Sequence, residues 1–221
     1  MNWMAATLYR PLLFPVPNFS CGLGRICTVS ERSRMVEIRS LTQLNLADLR
    51  QIASGYTSDN KYAVHHTEGE SFVSFDLRLV TLDKPYVKKF HYNNEILQQY
   101  NTVLRSGYSF GAYDDNLLVG LAIAEAHRWN RSLSVHEFHV AETHRNQGIG
   151  KQLMECVAEK ARRAGFRIIV CETQNTNPTA INVYRKLGFR VEGVDISFYS
   201  NDDYSEGEIA VFMKRRLCAA L

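Results

Sequence analysis

The sequence contains no run approaching the roughly 18–20 apolar residues that a membrane-spanning helix requires, so no membrane helix is expected. Cysteine is sparse: there are five in 221 residues, Cys21, Cys27, Cys156, Cys171 and Cys218. Their number is odd and no pair forms a C-x-x-C. That argues against a disulfide scaffold and for a reduced, cytoplasmic protein. Excess charge of one sign is also missing over most of the chain. The net charge of +3 sits in residues 1–34, where Arg10, Arg25, Arg32 and Arg34 face only Glu31, and the rest balances at 22 basic and 22 acidic residues. A neutral body excludes broad nucleic-acid binding, which depends on neutralising many phosphates. With 45% hydrophobic and 11% aromatic residues, the chain has ample material for a core, and a disordered tail protein is excluded.

Three of the five prolines, Pro11, Pro15 and Pro17, fall in residues 1–34, and that segment shows neither helical nor strand periodicity. It is expected to lie outside the fold, as a disordered or non-native extension. Its basic, nearly acid-free composition also fits a transit segment, which leaves organelle targeting open beside a cytoplasmic location. Residues 35–221 form the expected domain.

Val36 and Ile38 alternate as in a first strand. Leu46, Leu49 and Ile52 mark a short helix, and residues 71–81 partly alternate as a strand. Ile96, Leu97, Tyr100, Val103 and Leu104 form the stripe of a helix over 94–105. Ser109–Tyr113 and Leu117–Ala126 flank Asp114-Asp115-Asn116 as a hairpin. Ser132–Val140 is a strand. The stripe Ile149, Leu153, Cys156, Val157, Ala161 and Ala164 is a helix stopped by Gly165, followed by a strand over Arg167–Glu172. Pro178 opens a helix that Gly188 ends. Strands over about 189–199 and 208–214 finish the chain. This order predicts an α/β domain on one mixed central sheet flanked by helices. His136 and His139 surround Glu137, but residues three apart on a strand face opposite ways and cannot share a metal. No metal site is expected.

The most informative stretch is Val140-Ala-Glu-Thr-His-Arg-Asn-Gln-Gly-Ile-Gly-Lys151. A strand ends and a helix begins around two glycines, residues suited to close backbone approach or unusual dihedrals. Free N–H groups at the helix start, with the dipole behind them, bind anions, and Arg145 and Lys151 add charge. The P-loop pattern fails because Gln152 follows Lys151 and residue 145 is Arg. The dinucleotide pattern G-x-G-x-x-G fails at Leu153. What fits is R-x-x-G-x-G, from Arg145 to Gly150.

With this turn, the segment Glu172-Thr-Gln-Asn-Thr-Asn-Pro-Thr-Ala-Ile-Asn-Val-Tyr-Arg-Lys-Leu-Gly-Phe189 resembles the two motifs of the GNAT superfamily of N-acetyltransferases. The resemblance covers about residues 36–216. The runs Glu172-Thr-Gln-Asn, Gly-Val-Asp-Ile-Ser-Phe-Tyr199 and Glu208-Ile-Ala-Val-Phe-Met213 look like the streptothricin acetyltransferase branch. Upstream, Lys84-Pro-Tyr-Val-Lys-Lys-Phe90 is compatible with it. The resemblance implies the GNAT fold, whose sheet splays open at the acetyl-CoA site. It further implies that the backbone of Phe138, His139 and Val140 pairs with the pantetheine arm. Arg145 and the N–H groups of Asn146, Gln147, Gly148, Ile149, Gly150 and Lys151 would hold the pyrophosphate, and Asn177 would contact the cosubstrate. Tyr184 occupies the position of the acid that protonates the departing CoA thiolate.

Acetyl transfer requires a neutral amine, and lysine-type amines have pKa values near 10.4, so a base must take a proton. Glu137 and Glu172 are the candidates, with a slight preference for Glu137. Glutamates on strands are more often merely solvated, and a tyrosine on the Ala180–Val183–Tyr184–Leu187 stripe is more often core. The expected acceptor is a small cationic amine, streptothricin-like. The alternatives are a protein or peptide N-terminal amine or lysine, or a non-catalytic acyl-CoA-binding module. The acidic cast of Asp195, Asp202, Asp203, Glu206 and Glu208 suits a cationic acceptor. A monomer and a homodimer remain equally open.

Overall fold

The computed structural model describes residues 36–204 and 207–217. The expectations for residues 1–34, Glu206, Cys21, Cys27 and Cys218 lie outside them. The chain runs β1 (Glu37–Ser40), α1 (Leu46–Ile52), β2 (Gly55–Gly69), β3 (Phe72–Lys89), α2 (Asn94–Leu104), β4 (Phe110–Asp114) and β5 (Leu117–His127). It continues through β6 (Ser132–Val140), a 3-10 turn at Glu142–His144, α3 (Ile149–Arg163), β7 (Ile168–Gln174), α4 (Pro178–Lys186), β8 (Arg190–Asp195) and β9 (Ala210–Arg216). Seven strands form one mixed sheet in the order β1-β4-β5-β6-β7-β9-β8. Its pairs are antiparallel except β6 with β7, which α3 connects.

Local chemistry sets the element ends. Asn45, Asn93 and Asn177 cap α1, α2 and α4 by accepting from the backbone N–H of Asp48, Ile96 and Ala180. Asp115 and Asn116 both adopt positive φ, 47° and 67°, which is the two-residue turn that suits the twist of β4 and β5. Along β5, Leu121 and Ile123 pack with α1 and α2, while Ala122 and Ala124 pack with α3 and α4 on the opposite face. The strand is buried on both sides, so it reads as a continuous apolar run.

Two features position the site. The first is a split. β6 pairs with β7 only from Ser132↔Ile168 to Val135↔Cys171, while β6 stays paired with β5 as far as Val140 and β7 with β9 as far as Gln174. Beyond Val135 the two strands diverge, and one edge of β6 is left open. A bulge assists: Ala124 pairs with Val135 and Ile123 with Glu137, so His136 is the extra residue, and bulges bend and twist a strand.

The second feature is the β2–β3 hairpin, a separate two-stranded sheet. Tyr62 donates its N–H to the Asn175 carbonyl at 2.8 Å, and the buried Asn175 amide returns a bond to the Tyr62 carbonyl at 2.9 Å. Asn175 Oδ1 also accepts from Ile209 at 2.9 Å. One residue thus joins the hairpin, the end of β7 and the start of β9. No helix among the described residues is long and apolar enough to cross a membrane.

Candidate active site

The split between β6 and β7 is the floor of a long cleft, bounded at one end by the turn leading into α3 and at the other by the base of the hairpin. At the first end, Asn146 and Gly148 have positive φ, 61° and 80°, and α3 starts with neither a side-chain cap nor an acidic residue in its first turn. Its first N–H groups therefore have no intrahelical acceptor, and the dipole favours an anion there. Arg145, Asn146, Gly148, Ile149, Gly150 and Lys151 all line the cleft. Gln147 is turned the other way, its amide donating to the Thr143 carbonyl at 3.2 Å. The two glycines serve different ends. Gly148 supplies the left-handed backbone, with no atom within 4 Å of where a Cβ would stand. A Cβ on Gly150 would meet Phe138 Cζ at 3.3 Å and Val140 Cγ2 at 3.8 Å, so this glycine lets α3 sit close on β6.

Phe138, His139 and Val140 carry the open edge and line the cleft. The Phe138 ring packs against Tyr184, with centroids 5.9 Å apart, and Tyr184 against Phe189 at 5.5 Å. Tyr184 is thus both a core residue, 7% exposed, and a wall of the cleft. Burial raises its pKa well above 10, and the nearby Cys171, Glu172 and Glu137 act in the same direction, so the phenol stays protonated. Asn177 lines the cleft as the cap of α4, with its Oδ1 committed to the Ala180 N–H at 3.0 Å.

The two candidate bases have opposite surroundings. Burial alone would push the Glu137 carboxyl up. However, it accepts from Tyr100 at 2.5 Å and Tyr92 at 3.2 Å and lies 2.6 Å from His139 Nε2, and these contacts bring its pKa below the ordinary value. Among the described residues Glu172 has a single hydrogen-bond partner, the Tyr199 hydroxyl. Burial pushes it up to about 7, the Tyr199 bond and Lys88 pull down, and Glu208 and Glu137 push up.

The remaining carboxylates along the cleft are already engaged. Glu208 contacts Lys88, and Glu125 lies 2.8 Å from His136. Asp203 holds its own turn through the N–H groups of Tyr199 and Ser200 and the Ser200 hydroxyl. Of the acids expected to give the last strands their acidic cast, Glu208 is thus paired with a cation and Asp203 is tied into its own turn. His136 and His139 take separate carboxylates, Glu125 and Glu137. Sequence reasoning assigned no role to Tyr92, Tyr100, Tyr199 or Lys88. Tyr199 and Lys88 stand in runs quoted for the branch resemblance. Tyr100 read only as part of a helical stripe, and nothing marked Tyr92.

The Acetyltransferase (GNAT) family profile matches residues 76–189. A streptothricin acetyltransferase of Streptomyces lavendulae is 31% identical over 182 residues, 80% of this chain and 93% of the relative. The crystal structure of a nourseothricin acetyltransferase superposes with a TM-score of 0.63 at 30% identity, covering 83% of this chain and 99% of that one. A Bacillus anthracis protein solved with acetyl coenzyme A has the same fold, with a TM-score of 0.63 at 20% identity over 85% of this chain and all of that one. The chain belongs to the GNAT family of acetyltransferases and is an N-acetyltransferase.

Proposed function

We propose that this enzyme transfers acetyl from acetyl-CoA to a primary amine of a small cationic molecule of the streptothricin class, with Glu172 as the base. One observation carries the choice of base: Glu172 is the cleft carboxylate whose sole hydrogen-bond partner among the described residues is a neutral hydroxyl, with a pKa of about 7. A base works best with a pKa near the working pH. Glu137, stabilised as an anion by two tyrosines and His139, is the poorer acceptor of a proton. In this reading it anchors α2 and the segment after β3 to β6.

The residues present fit acetyl-CoA. The uncapped, acid-free start of α3 with Arg145 and Lys151 suits a pyrophosphate, and the open edge of Phe138 to Val140 can pair with an extended amide-bearing arm as a further strand would. Bound there, acetyl-CoA supplies an activated thioester. Glu172 takes a proton from the acceptor ammonium, which frees the nitrogen lone pair for the thioester carbonyl. The protonated Tyr184 phenol, on the cleft wall facing Phe138, stands ready to give a proton to the leaving sulfur and is restored by the second proton that the nitrogen loses as the amide forms. Asn177 borders the same region.

The choice of acceptor class rests on the named activities of the similar proteins. It is tested by thiol release from acetyl-CoA with streptothricin, polyamines and a peptide panel. Turnover with streptothricin at the highest kcat/KM is expected. A peptide amine as the preferred acceptor, with streptothricin inert, would overturn it.

A further inference from the structure

The two edges of the β2–β3 hairpin are treated differently. On β2, Tyr62 turns its N–H and carbonyl away from β3, toward Asn175. The His66 N–H also turns outward, to the Tyr204 hydroxyl at 3.4 Å. The body of the protein thus covers the β2 edge. In an antiparallel pair, residues directly opposite point their backbone polar groups either both inward or both outward. Tyr62 stands opposite Leu79 and His66 opposite Phe75. Val73, Phe75, Leu77 and Leu79 therefore present their N–H and C=O groups on the outer edge of β3. Among the described residues no strand pairs there.

That edge is regular and apolar. The register runs unbroken from Asn60↔Thr81 to Gly69↔Phe72, and both the irregularity at Ser58/Asn60 and Pro85 lie beyond it. Phe72, Val73, Phe75 and Leu79 are 43% to 58% exposed. Between residues 72 and 82 the charged side chains are Asp76 and Arg78, 2.6 Å apart on one face. A long, open, apolar strand edge recruits another strand.

We propose that the strand it recruits is β3 of a second copy of this chain. The two strands run antiparallel about a two-fold axis at Leu77 and join the hairpins into one four-stranded sheet. The charges select this partner and this register. With Leu77 opposite Leu77 of the second copy, Asp76 faces the second copy's Arg78, Arg78 faces its Asp76, and Phe75 faces its Leu79. Sliding one strand by two residues sets Asp76 against Asp76 in one direction and Arg78 against Arg78 in the other. Like charges directly opposite are destabilising. A slip of one residue sets outward-pointing backbone groups against inward-pointing ones and moves each strand's apolar set to the wrong face. The contact is self-complementary, as a closed two-fold dimer requires.

Sedimentation equilibrium of the full chain reads the association, and amide hydrogen exchange reads its place. The wild-type chain should be a dimer, with the N–H groups of Phe75, Leu77 and Leu79 protected, and dilution to the monomer should release them together. Asp76→Arg and Arg78→Asp each put like charges opposite one another at the dimer seam, and each variant alone should be monomeric with an unchanged circular-dichroism spectrum. Mixed in equal amounts the two should dimerise, because every facing pair is then of opposite sign. The double variant carrying both changes should dimerise by itself. A wild-type chain that is monomeric at about 100 µM, a dimer that persists in both single variants, or a mixture of them that stays monomeric overturns the proposal.

Discussion

Replacing Glu172 by Gln keeps the shape of the side chain and removes its ability to take a proton. The loss of a positioned base should lower kcat by about 10²–10⁴-fold. The same change should stabilise the protein, because the native state holds this carboxyl at about 7 against an ordinary 4.5. A carboxyl whose pKa is raised on folding binds its proton more tightly in the native state. It therefore supports the fold below about pH 4.5 and loses that support as pH rises through about 7. The shift corresponds to about 3 kcal/mol by the usual conversion, an upper figure because the side chain keeps contact with an open cleft. Glu172→Gln should therefore melt several degrees higher than wild type near pH 8, and the gap should close near pH 4.5. In wild type, kcat/KM should fall about tenfold per pH unit below 7 and level off above it. Calorimetric melts across pH, paired with initial rates, read both effects on one variant. A mutant that melts like wild type near pH 8 and turns over within a factor of two of it would refute both the burial argument and the base role.

Tyr184→Phe keeps the ring between Phe138 and Phe189 and removes only the hydroxyl. It should lower kcat about 10²–10⁴-fold when chemistry limits the rate, with thermal stability and acetyl-CoA affinity nearly unchanged; a wild-type rate would make Tyr184 a packing residue alone. Gly148→Ala places a side chain in open space but at φ 80°, a strain of about 1–2 kcal/mol. Kinetics should show KM for acetyl-CoA rising as the turn relaxes, with KM for the acceptor unchanged. Tyr100→Phe deprives Glu137 of its shortest hydrogen bond, worth about 1.5–3 kcal/mol for a charged acceptor. A lowered melting temperature with a smaller loss of kcat than in Glu172→Gln is expected.

Elements with a strong period or a firm terminal signal were legible in the sequence. β6 and α4 begin where Ser132 and Pro178 predict, and α3 ends just before Gly165. The hairpin was only half legible. The expected strand over residues 71–81 is real, but β3 continues to Lys89 and its partner β2 gave no signal. The reason is physical. The register breaks between Ser58 and Asn60, where Ser58-Asp59-Asn60 reads as a turn, and Pro85 demotes the later part of β3. The strand over 189–199 stops at Asp195, because the residues after it close a turn on the Asp203 carboxylate. That turn is what brings Tyr199 to Glu172.

The two glutamates show where local sequence stops being informative. Glu137 and Glu172 are the same residue type, each on a strand bordering the same split and each withdrawn from water. Their titration is decided by partners remote in sequence: Tyr92 and Tyr100 lie 45 and 37 positions from Glu137, and Tyr199 lies 27 from Glu172. Two hydroxyls and an imidazole turn one carboxylate into a fixed anion that organises the wall of the cleft. Burial, with one hydroxyl among the described residues, Glu208 nearby and Lys88 paired to it, leaves the other poised near neutrality. The segment after β3, α2 and the β8–β9 connection therefore set different surroundings for the two carboxylates. In the function proposed above, that difference divides anchoring from proton transfer between two side chains that no motif distinguishes.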